Sequence, residues 1–151
     1  MPYRLRKKEA ADAGIKRIVK EQIDKAKAEI EDESLDRHQA IHQVRKRCKK
    51  IRAVLRMIRP ALGARYRFEN AWYRDSAGGL SGLRDAEAMV ETYHYLVKAA
   101  GLDPERFDII RAHLASNLEK LSDGTGDIQH LLNEFLFRME EGRRRIDDWG
   151  I

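Results

Sequence analysis

Between Arg37 and Phe68 the chain has no aspartate and no glutamate, yet it carries eleven lysines and arginines there. The other residues hold 19 basic against 25 acidic side chains. The formal net charge of +5 therefore describes a mildly acidic protein with one strongly basic element. Such asymmetry points to a polyanionic partner: nucleic acid, a phosphate polymer or an anionic membrane.

Other scarcities narrow the field. There is one cysteine, Cys48, so no intrachain disulfide forms and a reducing cytoplasm is expected. The opening MPYRLRKKEA is charged and lacks the apolar centre of a signal peptide. No apolar run approaches the ~20 residues of a membrane span, so a cytoplasmic protein without membrane association is expected. Three prolines and ten glycines in 151 residues suit long helices better than a turn-rich β-sandwich. A hydrophobic content of 42% is enough for a core, and the length suits one domain over 1–151.

What is present reads as helix throughout. Leu5, Ile15, Ile18, Val19, Ile23, Ala26 and Ile30 predict a first helix over Tyr3–Glu31. Ser34 or Asp36 is placed to cap a second, Leu35–Arg59, stopped by Pro60. A third spans Ala64–Ser76 before a turn at Gly78-Gly79, and Ser81 is placed to cap a fourth that ends at Ala100, with Gly101 as its C-terminal signal. Pro104 opens a fifth, to Leu121. Residues Ser122 to Gly126 read as a loop, and Asp127 is placed to cap a sixth helix to Asp147. Short loops between amphipathic helices predict an all-α, antiparallel helical bundle of five to six helices, one of them long and basic.

The second helix carries two stripes. Ile41, Val44, Cys48, Ile51, Leu55 and Ile58 alternate steps of three and four, an a/d face for the core, which makes Cys48 a buried structural thiol. His42, Arg45, Lys49, Arg52 and Arg56 repeat that spacing roughly 110° around the helix, with Lys46 flanking and Arg47 and Lys50 pointing elsewhere. The row spans ~20 Å. Like charges at i, i+4 oppose helix formation by ~0.2–0.5 kcal/mol per pair. A helix needing only solubility would mix signs, so the row is better explained by a bound polyanion. A solvated face, or pairing with acids such as Glu29, Glu33 or Glu87, is the competing explanation.

HxxRKRxKKIRAxLR, from His42 to Arg56, together with LSGLRDAEAM, from Leu80 to Met89, resembles the two motifs of the CHAD family, the conserved-histidine α-helical domain. Trp72 also suits that family's third helix. The resemblance implies an all-helical, non-catalytic module that binds inorganic polyphosphate through a basic surface, with no cofactor and with association to polyphosphate granules. Matched position by position, the implied polyphosphate-binding residues are His42, Arg45, Lys46, Lys49, Arg52, Arg56 and Arg84. Asp85 completes the Arg-Asp motif, orienting Arg84 or holding a basic side chain of the second helix. Family members usually carry two similar halves, and no second HxxRKxxK pattern follows Leu102. The chain thus resembles the first half plus following helices. It reads as part of a longer protein or as a short member whose chains pair as a homodimer.

The rivals fit less well. Single-strand binders interleave aromatic with basic residues, and no aromatic residue occurs from Arg37 to Arg65. Tyr66, Phe68, Trp72 and Tyr73 follow at a spacing that suits the bundle core. RNA or DNA association and an acidic protein partner remain the alternatives. His38 and His42 stand at i, i+4, but without HExxH and among cations they make a poor metal site. His94, His113 and His130 read as ordinary helix residues. Gly78-Gly79 and Gly82 lack the Lys-Ser/Thr of a phosphate-binding loop, so no enzymatic role is expected. The Arg143-Arg144-Arg145 cluster suits a helix C-terminus, where cations meet the negative end of the dipole.

Overall fold

The computed structural model describes residues 3–122 and 125–151, with the side chains of residues 83, 84, 87, 121, 122 and 125–127 outside the description. Seven α-helices and no strand occur among the described residues. They are α1 (Ala11–Glu31), α2 (Arg37–Met57), α3 (Arg59–Leu62), α4 (Arg65–Gly78), α5 (Ser81–Ala99), α6 (Asp108–Ser122) and α7 (Thr125–Ile146). The expected bundle is present, and the additional helix is the four-residue α3. Pro60 lies in its first turn, where a missing N–H costs nothing. Gly63 at φ +58° then redirects the chain into α4, a conformation that favours glycine.

Four helices, α1, α2, α4 and α7, enclose the core. The α2 stripe is buried as expected, from Ile41 to Ile58. It meets Ile18, Val19, Ile23, Ala26 and Ile30 of α1. Ile128, Leu132, Phe135, Met139 and Ile146 of α7 repeat three- and four-residue steps and close the other side. Ion pairs show the direction of packing. Lys20 meets Asp147, Asp24 meets Arg143 and Lys27 meets Glu140, so α1 and α7 run antiparallel. Glu69 to Arg145 and Trp72 to Arg138 give the same sense for α4 against α7.

The first helix begins at Ala11, eight residues later than its apolar pattern suggests. Residues 3–10 fold back as a strap instead. Glu9 accepts from Arg17 Nε at 2.6 Å and from the Arg6 backbone N–H at 3.1 Å, and Leu5 lies against Gly14. A Cβ at Gly14 would come within 2.6 Å of Leu5 Cδ2, so the glycine admits the strap. The Arg17 hydrogen bond holds the Glu9 carboxyl well below its usual range, at about 2.

Capping differs from expectation. Asp36 stands at the N-cap of α2 without a side-chain bond, and Ser34 donates to Asp32. Ser81 lies inside α5 and donates its hydroxyl to the Gly78 carbonyl. Asp127 falls within α7, which begins two residues earlier at Thr125. The fifth predicted helix opens as a 3₁₀ turn, Pro104–Phe107, before α6. Gly101 does terminate α5. It adopts φ +61°, and the Leu102 N–H reaches the Val97 carbonyl at 3.1 Å, the 6→1 bond of a Schellman motif.

Helices α5 and α6 form a hairpin that packs mostly on itself. Among its described residues only Ala86 is buried, while Tyr95, Leu96, Met89, Ile109 and Ile110 are exposed.

Candidate anion-binding site

The burial of the α2 stripe fixes where its basic row points. His42, Lys46, Lys49 and Arg56 are exposed, and Arg45 and Arg52 are half-buried. Arg52 is held in place: its Nε donates to Asn70 Oδ1 of α4 at 3.0 Å. Arg45 Nη1 stands 4.0 Å from Asp85 Oδ1 of α5. That long contact ties α5 loosely to the row and leaves the Arg45 fork free for other acceptors. His42 lies in a shallow hollow with His38, Gln39, Gln43 and Glu91. The side chain of Arg84 lies outside the described residues.

Lys46, Lys49 and Arg56 have no carboxylate within 4.0 Å among the described residues. Several cations elsewhere are paired. Arg47, off the row, takes Glu29 at 2.5 Å and Gln22 at 3.3 Å, joining α2 to α1. Arg143 pairs with Asp24, Arg144 with Glu141 and Arg145 with Glu69. Arg143 and Arg145 thus tie α7 to α1 and α4, beyond any interaction with the dipole, while Arg144 pairs within α7. Glu69 is 1% exposed and is bracketed by Arg145 at 3.0 Å and Trp149 Nε1 at 3.4 Å. Acids thus neutralise Arg47, Arg143, Arg144 and Arg145 but leave Lys46, Lys49 and Arg56 without a partner among the described residues. Of the three acids considered as partners for the row, Glu29 is taken by Arg47, and the Glu87 side chain lies outside the described residues.

Cys48 is 1% exposed, and burial pushes its thiol up to about 12 in spite of Arg52 and Arg45 nearby. It is a core residue. Burial, followed by the charges of Arg47, Lys46 and Lys25, lowers the Lys50 ammonium below its ordinary value. Its aliphatic stem carries it to the Tyr3 ring, 5.4 Å from the centroid.

The aromatic residues after Arg65 divide. Tyr73 is buried and Trp72 packs on the core, donating Nε1–H to the Arg138 carbonyl at 2.8 Å. Phe68 departs from the core assignment: it is 54% exposed, stacked on Trp72 at 5.9 Å with Arg145 over its face at 5.0 Å. Arginine coverage replaces core burial there.

A second set of arginines, on α3 and α4, was not apparent from sequence reading. Arg59, Arg67 and Arg74 line one groove with Tyr66 and Asn70, and no carboxylate lines it. The signal was present: Arg67, Asn70 and Arg74 recur at three- and four-residue steps on one face of α4. The first turn of α4 holds Arg65 and Arg67 and no acid. Cations at that end oppose the helix dipole, typically by ~0.3–1 kcal/mol each. Arg74 bonds its neighbour Asp75, and that bond, with Arg138 and Arg52 nearby, holds the Asp75 carboxyl below its usual value.

The arrangement is thus a helical bundle that displays a continuous, largely uncompensated row of guanidinium and ammonium groups, suited to binding a polymeric anion. Among the described residues, no cluster of His, Cys, Asp and Glu could hold a metal ion, and no helix is long and apolar enough to cross a membrane. The family model of the CHAD domain matches residues 17–149, and the chain belongs to that family. The match extends through α6 and α7, beyond the two motif segments. Membership is consistent with polyphosphate binding in general. No curated protein and no solved structure matches the chain.

Proposed function

We propose that the protein binds inorganic polyphosphate without chemically altering it, along the α2 row formed by His42, Arg45, Lys46, Lys49, Arg52 and Arg56, with Arg84 at the α5 end. The observation that carries this reading is a row of cations on one helix face that the fold leaves largely without carboxylates. Arg47, Arg143, Arg144 and Arg145 have carboxylate partners, whereas Lys49 and Arg56 of the row, and Lys46 beside it, have none among the described residues. A ligand that supplies the missing negative charge relieves the like-charge repulsion the helix otherwise sustains. Polyphosphate offers one charge per unit and no base edges, which matches a site of forks and point charges with little base-reading capacity. The positive field also disfavours the divalent ions that phosphoryl-transfer enzymes recruit.

The test is a titration with long-chain polyphosphate, single-stranded RNA and duplex DNA at one near-physiological salt. Arg45→Glu/Lys49→Glu/Arg52→Glu is measured alongside, with helicity checked by circular dichroism. The expected result is a preference for polyphosphate of tenfold or more, about 1.4 kcal/mol, that the folded variant loses. Equal binding of all three polymers, or a variant that binds like wild type, overturns the assignment. His42→Ala with unchanged affinity would remove His42 from the site.

A further inference from the structure

The α2 row ends beside a groove lined by Arg59, Arg67 and Arg74. Arg67 has no ion-pair partner among the described residues, and Arg74 bonds only to Asp75, the next residue along its helix. Arg59 lies over the Tyr66 ring at 4.9 Å from the centroid. A guanidinium held over a ring face can still offer its N–H groups to a phosphate. Two features point to a ligand. Cations occupy the first turn of α4, where the helix dipole opposes them, and the groove lining contains no acid, only Arg74 of its three arginines having a carboxylate partner, Asp75, outside the lining.

The hydrogen bond from Arg52 to Asn70 joins this groove to the α2 row. The geometry points to a second binding rail: a phosphate chain lying along α2 crosses at Arg52 and continues over α4, where Arg59, Arg67 and Arg74 hold further phosphates. This rests on the polyphosphate reading and adds to it a selectivity for long, flexible polyanions. A path from one helix to the next demands a polymer that bends within a few ångströms. Duplex DNA, stiff over about 150 base pairs, cannot follow it. A short oligophosphate fills one rail and gains nothing from the other.

The experiment compares long-chain polyphosphate with tripolyphosphate at two salt concentrations. Four proteins are used: wild type, Arg59→Gln/Arg67→Gln/Arg74→Gln, the α2 triple-glutamate variant, and Lys98→Gln/Arg106→Gln/Lys120→Gln. The last removes equal charge from exposed positions on the α5–α6 hairpin. The α4 variant is expected to lose tenfold or more in long-chain affinity while keeping tripolyphosphate affinity within twofold. Its salt slope is expected to fall by about 2, at ~0.7 per lost phosphate contact. Unchanged long-chain affinity, or a loss no larger than the hairpin variant shows, overturns the second rail while leaving the α2 site intact. An α2 variant that binds long chains like wild type overturns both.

Discussion

Raising salt should weaken polyphosphate binding by an amount that the count of uncompensated cations sets. Arg45, Lys46, Lys49, Arg52 and Arg56 lie in or beside one row, and none forms a close carboxylate pair among the described residues. If each neutralises one phosphate, and counterions are released as from a single-stranded nucleic acid, log K should fall with log salt at a slope of about −3.5. Between 50 and 200 mM salt that is a loss of roughly 100-fold. Engagement of α4 would steepen it further. Fluorescence anisotropy of end-labelled long-chain polyphosphate, at four salt concentrations with protein in excess, measures the slope directly. The internal control is Arg144→Gln, which removes a cation already paired with Glu141 and should leave the slope unchanged. A wild-type loss below about fivefold would mean only one or two phosphates are engaged, and the row would not be the site.

Three further outcomes follow from the packing. A Cβ at Gly142 would stand 2.6 Å from the hydroxyl of buried, unpartnered Tyr73, so Gly142→Ala should destabilise the wild type. In a Tyr73→Phe background it should cost less or stabilise, with a coupling of about 1–2 kcal/mol; a denaturant double-mutant cycle giving under ~0.5 would contradict the close approach. Glu9 has a folded pKa of about 2 against an ordinary 4.5, so the strap's contribution is complete above pH 4.5 and is lost as pH falls toward 2. Glu9→Gln should flatten stability across that window in an acid titration followed by circular dichroism, and an unaltered profile would place the strap's anchor elsewhere. With its thiol near 12, Cys48 should resist a thiol reagent at pH 8 in the folded protein and react promptly in denaturant; comparable rates would show it accessible.

The periodic features were legible in the sequence because each follows from one helix alone. The buried stripe from Ile41 to Ile58 and the direction of its basic neighbours required only the 100° step per residue. Neutralisation was not legible, because it depends on which helices meet. Nothing local pairs Arg47 with Glu29, 18 residues away, or Arg143 with Asp24, 119 away. The strap was missed for a related reason: Leu5 continues the apolar pattern of α1, but its contact with Gly14 outweighs the helical continuation. The α4 groove was obscured because its arginines alternate with aromatics that also serve the core and its edge. Tyr73 is buried while Phe68 is not, a division set by the approach of α7.

The one-sided placement of charge has a consequence before any contact forms. The basic stretch carries eleven positive charges without an acid, and the remainder of the chain carries a small negative excess. The exposed cations of α2 make the field on that side of the molecule positive. A long polyanion pulls on that side first, turning the protein to present the row as it approaches. Orientation of this kind raises the fraction of encounters that succeed. It acts only within the screening length, ~8 Å at physiological ionic strength, so it would govern only the final stage of approach and fade first as salt rises.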